Sequence, residues 1–78
     1  MDILFSANSW ADYLFWQNDN KKILKKLNEL IKDIQRHPYE GLGKPEPIRF
    51  ELQGFWSRCI DHEQRLVYQV INDELIIG

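Results

Sequence analysis

The chain has 78 residues, 44% of them hydrophobic and 28% charged, with a formal net charge of −2. That balance fits one small folded domain spanning residues 1–78 and excludes a disordered chain. A single cysteine, Cys59, rules out an internal disulfide and a cysteine zinc cluster.

The slight acidity argues against nucleic-acid binding by overall charge, but the charges are unevenly distributed. Lys21, Lys22, Lys25, Lys26, Lys32 and Arg36 crowd one segment, and Lys44, Arg49, Arg58 and Arg65 follow in the second half. Met1-Asp2-Ile3-Leu4-Phe5 lacks the basic start of a signal peptide, and no stretch approaches the ~20 apolar residues of a membrane span.

Ile3-Leu4-Phe5 reads as a short strand. Ser6 or Asn8 can cap a helix beginning near Ser9, because a short polar side chain accepts a bond from a free backbone N–H. Trp10, Tyr13, Leu14 and Trp16 recur at helical spacing and predict one aromatic face. Asn18-Asp19-Asn20 ends that helix and starts a second. In the second helix Ile23, Leu27, Leu30 and Ile34 form an apolar stripe, widened by Leu24 and Ile31, with lysines on the far side. His37-Pro38 closes it, since proline restricts the residue before it.

Residues 38–47 hold three prolines and two glycines and predict a stiff, shaped loop. The period then becomes two. Ile48 to Leu52, Phe55 to Ile60 and Arg65 to Ile71 read as strands, separated by turns at Gln53-Gly54 and Asp61–Gln64. Asn72-Asp73 makes a further turn, and Glu74-Leu75-Ile76-Ile77 opens a last strand that is cut short at Gly78. The predicted order is βααββββ, an α+β fold with two N-terminal helices on a small antiparallel sheet.

Chemistry concentrates between Lys44 and Arg65, where Glu46, Arg49, Arg58, Glu63 and Arg65 share the short sheet and its loops. Arg65 alternates with Leu66, Tyr68 and Val70, so it falls on the face with Val67 and Gln69, away from the helices. An open polar face with arginines and a carboxylate can hold a phosphodiester. Glu46 can act as base toward a ribose 2′-hydroxyl and Arg65 as the phosphate clamp, without a metal or other cofactor. The plainer readings are a solvated Glu46, an Arg65 paired with Glu63 or Glu51, and a basic helix face that only meets water. On the same plain view the aromatic stripe is core or partner surface, His62 a turn residue and Cys59 a small strand side chain.

Several strings taken together carry more information. Ser9-Trp10, Asp12-Tyr13-Leu14-Phe15-Trp16-Gln17, Lys25 through Ile34, Gly41-Leu42-Gly43-Lys44-Pro45-Glu46-Pro47, Leu52-Gln53-Gly54-Phe55-Trp56-Ser57-Arg58 and Arg65-Leu66-Val67-Tyr68 follow one another in order along the whole chain. This series resembles the YoeB/Txe toxins of the RelE superfamily. The resemblance implies a ribosome-dependent mRNA endoribonuclease of the cytoplasm, acting in the ribosomal A site and neutralised by a YefM/Phd-type antitoxin. It places the catalytic pair at Glu46 and Arg65, and RNA or ribosome contacts at Lys44, Arg49, Arg58 and Glu63.

Two departures from the family pattern stand out. Cys59 replaces a usual arginine, and no residue matches the His-Tyr pair with which the family closes its last strand, so the resemblance implies impaired cleavage. A second reading is a shortened toxin that binds antitoxin without cutting. A third is a homodimer formed through the open edge of the last strand.

Overall fold

In the computed structural model, which describes residues 1–49 and 54–78, the elements run β1 (Asp2–Phe5), α1 (Ala7–Asp19), α2 (Lys21–Arg36), β2 (Glu46–Pro47), β3 (Trp56–Cys59), β4 (Arg65–Ile71) and β5 (Glu74–Ile77). The order is the predicted one. Helix α1 starts earlier than expected because Ser6 is its cap, accepting from the Ser9 N–H at 3.1 Å. Asn20 serves both helices. Its backbone N–H closes α1 on the Trp16 carbonyl at 3.1 Å, and its Oδ1 accepts from Lys22 and Ile23 at 3.2 Å to open α2.

The stripe on α2 behaves as its spacing predicts. Leu27, Leu30, Ile31 and Ile34 are buried and meet Leu66, Tyr68, Leu75 and Ile77 from the sheet. Each such side chain contributes ~1.5–3 kcal/mol when fully buried. On α1 the expected aromatic face splits. Its inward side is centred on Ser9, whose hydroxyl donates to the Ile77 carbonyl at 2.8 Å, with Tyr13 and Trp16 beside it packing on the core. Trp10 and Leu14, 47% and 40% exposed, are turned out toward solvent. Trp10 stacks on Tyr13 with ring centroids 5.8 Å apart.

The sheet order is β1-β5-β4-β3-β2. Strands β2 to β5 form the expected antiparallel meander, but β1 joins β5 in parallel, with Asp2 opposite Glu74 and Phe5 opposite Ile77. The sheet is therefore mixed. The two helices carry the chain back across the sheet before the meander begins, so its last strand reaches β1 running the same way. This overturns the expectation of an open edge at the last strand. β5 is an interior strand, and among the described residues β1 and β2 are the edges.

Strand β2 comes two residues earlier than predicted. Ile48 continues its pairing with one bond to the Phe55 carbonyl at 2.8 Å, and the rest of the predicted strand, residues 50–52, lies outside the described residues. Asn72 and Asp73 both adopt positive φ, 50° and 62°, as a tight two-residue hairpin requires. Among the described residues, no helix is long and apolar enough to cross a membrane.

Candidate active site

The β3–β4 ladder has two faces of opposite character. Toward the helices, Trp56 and Arg58 stand opposite Tyr68 and Leu66. Toward solvent, Ser57 and Cys59 stand opposite Val67 and Arg65. Alternation along each strand enforces this division.

The inward arginine, Arg58, is fully buried, at 0% exposure. A guanidinium carries five N–H donors, and every one is used. Nε donates to the Tyr68 hydroxyl at 3.2 Å, and Nη1 donates to Asp33 Oδ2 at 2.6 Å and to the Leu42 carbonyl at 3.2 Å. Nη2 donates to the carbonyls of His37 and Glu40. The Tyr68 hydroxyl in turn donates to the Pro38 carbonyl at 2.6 Å. Asp33 also accepts from the Leu42 N–H at 3.0 Å. The bond from Arg58, helped by that from Leu42, holds the Asp33 carboxyl below its ordinary pKa, whereas burial raises that of Tyr68.

Arg58 thus faces the core and not the outer surface on which the sequence places an RNA contact. Four carbonyls of the 37–42 loop converge on this buried cluster and fix the loop's course. The next residue, Gly43, is pinned to β3, with the Cys59 N–H donating to its carbonyl at 2.7 Å. Its φ of +77° and a Cβ position only 2.9 Å from the Cys59 carbonyl oxygen explain why glycine is required. The loop then delivers Glu46 into β2, opposite Ser57.

On the outer face Glu46 and Arg65 approach across β3. Glu46 Oε2 lies 3.8 Å from Arg65 Nη2, with the two side chains 69% and 43% exposed. Such a gap exceeds a hydrogen bond, so neither group is locked to the other. Arg65 is held from beneath. Nε and Nη2 donate to the Ser57 hydroxyl at 3.2 and 2.9 Å, and Nη1 donates to Cys59 Sγ at 3.1 Å. A recess of about 90 Å³ between α1 and the sheet opens beside Arg65, walled by Tyr13, Trp16, Val67 and Ile77.

Of the residues singled out from sequence, Glu46 and Arg65 are brought together. Lys44 is exposed with φ +50° in the turn leading into β2, and Arg49 is exposed just beyond it. Glu63 lies in the exposed Asp61–Gln64 turn, 3.6 Å from His62, and its backbone N–H is bound by Asp61. Arg65 pairs with Glu46 rather than with Glu63, and Glu51 lies outside the described residues. Ser57 and Cys59 escaped the sequence reading as parts of the site. Their signal was the β3–β4 register, which sets them at alternate positions facing the Arg65 strand.

A family model described as a YoeB-like toxin of bacterial type II toxin–antitoxin systems matches residues 5–78. The toxin YoeB of Escherichia coli (strain K12) is 57% identical over 78 residues, covering 100% of this chain and 93% of that protein. Among solved structures, a YoeB–YefM complex from Staphylococcus aureus superposes with a TM-score of 0.95 at 46% identity, covering 100% of this chain and 91% of the other. A YoeB dimer from the same organism superposes with a TM-score of 0.94 at 44% identity, covering 100% and 91%.

Proposed function

The chain belongs to the YoeB-like toxins of bacterial type II toxin–antitoxin systems, and from that premise we propose that its outer sheet face cuts mRNA on the ribosome, in the cytoplasm. The observation that carries this reading is the open 3.8 Å approach of Glu46 and Arg65. A carboxyl and a guanidinium that share one exposed face without a direct hydrogen bond can part to engage a phosphodiester, the guanidinium on its oxygens and the carboxyl on the adjacent 2′-hydroxyl.

Glu46 takes the proton of the ribose 2′-hydroxyl, and the 2′-oxygen attacks the neighbouring phosphorus. Arg65 holds the charge that builds on the non-bridging oxygens, to which a guanidinium fork is matched in shape. The bond to the 5′-oxygen breaks, that oxygen takes a proton from water, Glu46 returns its own proton to solvent, and the products end in a 2′,3′-cyclic phosphate and a 5′-hydroxyl. Glu46 and Arg65 fill the roles of base and phosphate clamp, and the scheme is written without a metal. Lys44 and Arg49, exposed on either side of Glu46, are assigned to neighbouring phosphates, each adding a salt-dependent increment of affinity.

Capture of a YefM-type antitoxin belongs to the same proposal. It is supported by the solved YoeB–YefM complex, whose toxin matches this chain along its full length, and it does not require the cutting groups. Self-association is supported in the same way by the solved dimer.

Mapping mRNA 5′ ends after incubation with translating ribosomes tests the cleavage reading. Discrete cuts are expected at the reduced rate that the sequence implies, with Glu46→Ala lowering that rate by a further ~10²–10⁴-fold and Arg65→Ala by ~10²–10³-fold. Cuts that persist unchanged in both variants would remove the site assignment.

A further inference from the structure

Arg65 has more holding it than an exposed strand residue needs. Its five N–H donors divide unevenly. Nε and one N–H of Nη2 go to the Ser57 hydroxyl, and one N–H of Nη1 goes to Cys59 Sγ. One N–H therefore remains on each terminal nitrogen. The Ser57 hydroxyl occupies the side edge of the guanidinium formed by Nε and Nη2. Ser57 itself is only 6% exposed, fixed in the ladder between Glu46 on β2 and Val67 on β4. Among the described residues it is the one that is register partner to the carboxylate and hydrogen-bond partner to the cation.

We propose that Ser57 is the positioning residue of the site, its hydroxyl gripping the side edge of the Arg65 guanidinium so that the free end of the fork faces the phosphodiester opposite Glu46. The inference rests on the ribonuclease reading above. Without the hydroxyl, Arg65 keeps its charge but loses its fixed orientation. The loss therefore falls on kcat more than on KM, because a flexible guanidinium can still attract the substrate. A displacement of about 1 Å at a reacting group can cost ~10²-fold in rate. Ser57 acts through Arg65 and touches no reacting atom.

The test uses the full chain carrying Ser57→Ala, Ser57→Val and Ser57→Thr. Valine and threonine have nearly the same shape, so that pair isolates the hydroxyl and separates its effect from loss of packing. In the free protein, nitrogen-detected NMR of the Arg65 guanidinium reads its rotation without any turnover. Slow rotation is expected in the parent and in Ser57→Thr, and fast rotation in Ser57→Ala and Ser57→Val. On programmed ribosomes, the alanine and valine variants are expected to lose between about 10- and 100-fold in kcat, with KM within about two-fold of the parent, and threonine to restore the rate. In an Arg65→Ala background, Ser57→Ala should cost nothing further.

Fast Arg65 rotation in the parent, slow rotation in Ser57→Ala, or an undiminished effect of Ser57→Ala in the Arg65→Ala background would each overturn the proposal. An Arg65→Ala variant that cuts like the parent would instead overturn the ribonuclease reading, and the rotation measurement would still decide whether Ser57 orients the guanidinium.

Discussion

Arg58 and Arg65 lie seven residues apart on the two strands of one ladder, and their surroundings give them opposite work. Arg58 spends all its donors on protein groups in the interior. Removing it leaves Asp33 without its cation and several loop carbonyls unpaired, so Arg58→Ala is expected to cost about 3–5 kcal/mol, measured by chemical denaturation. Asp33 makes the cluster sensitive to acid. Its pKa is depressed when folded, chiefly by the bond from Arg58, so its contribution is fully present above the ordinary aspartate value of 3.8. It is lost as pH falls from there through the lowered folded value. Asp61, whose pKa is lowered by the Gln64 and Glu63 backbone N–H groups, acts in the same window. Comparing denaturation of the parent and Asp33→Asn between pH 5 and 2 (values on the order of those bracketing a carboxylate transition) separates the two. The parent should lose stability more steeply, and parallel curves would contradict the Asp33 assignment.

At the scale of elements, the readable parts of the sequence were those whose signal is local. The α2 stripe from Ile23 to Ile34 and the alternation of β4 are periodic within a few residues, and both elements formed where predicted. The parallel pairing of β1 with β5 joins residues about seventy positions apart, and no local pattern encodes it. The burial of Arg58 was not legible in the sequence, where nothing local marks the face a strand arginine takes. Its burial depends on an aspartate from α2, a tyrosine from β4 and carbonyls from a loop, none adjacent in sequence. The same loop makes a prediction. Gly43 combines positive φ with contact against the β3 backbone, so Gly43→Ala should destabilise the protein by ~1 kcal/mol or more. Because the strain falls three residues before Glu46, cleavage should decline more than the stability loss alone explains, which parallel melting and cleavage assays would reveal.

In the whole molecule, the core and the proposed chemistry occupy opposite faces of one sheet. The helix-side face holds the core and the Arg58 cluster, and Leu30→Ala there should cost ~2–5 kcal/mol, a large share of the ~5–15 kcal/mol typical of a folded domain. The outer face holds Glu46 and Arg65 in a long, exposed pair of little worth to folding. Glu46→Ala and Arg65→Ala should therefore unfold within ~0.5 kcal/mol of the parent. On the proposed reading those two groups serve one phosphodiester, so the decisive measurement is a cycle of single-turnover mRNA cleavage rates on programmed ribosomes for the parent, the two single alanine variants and the double variant. If they act as a unit, the double variant cuts no more slowly than the slower single one. Losses that multiply, or single variants that cut at the parental rate, would contradict it.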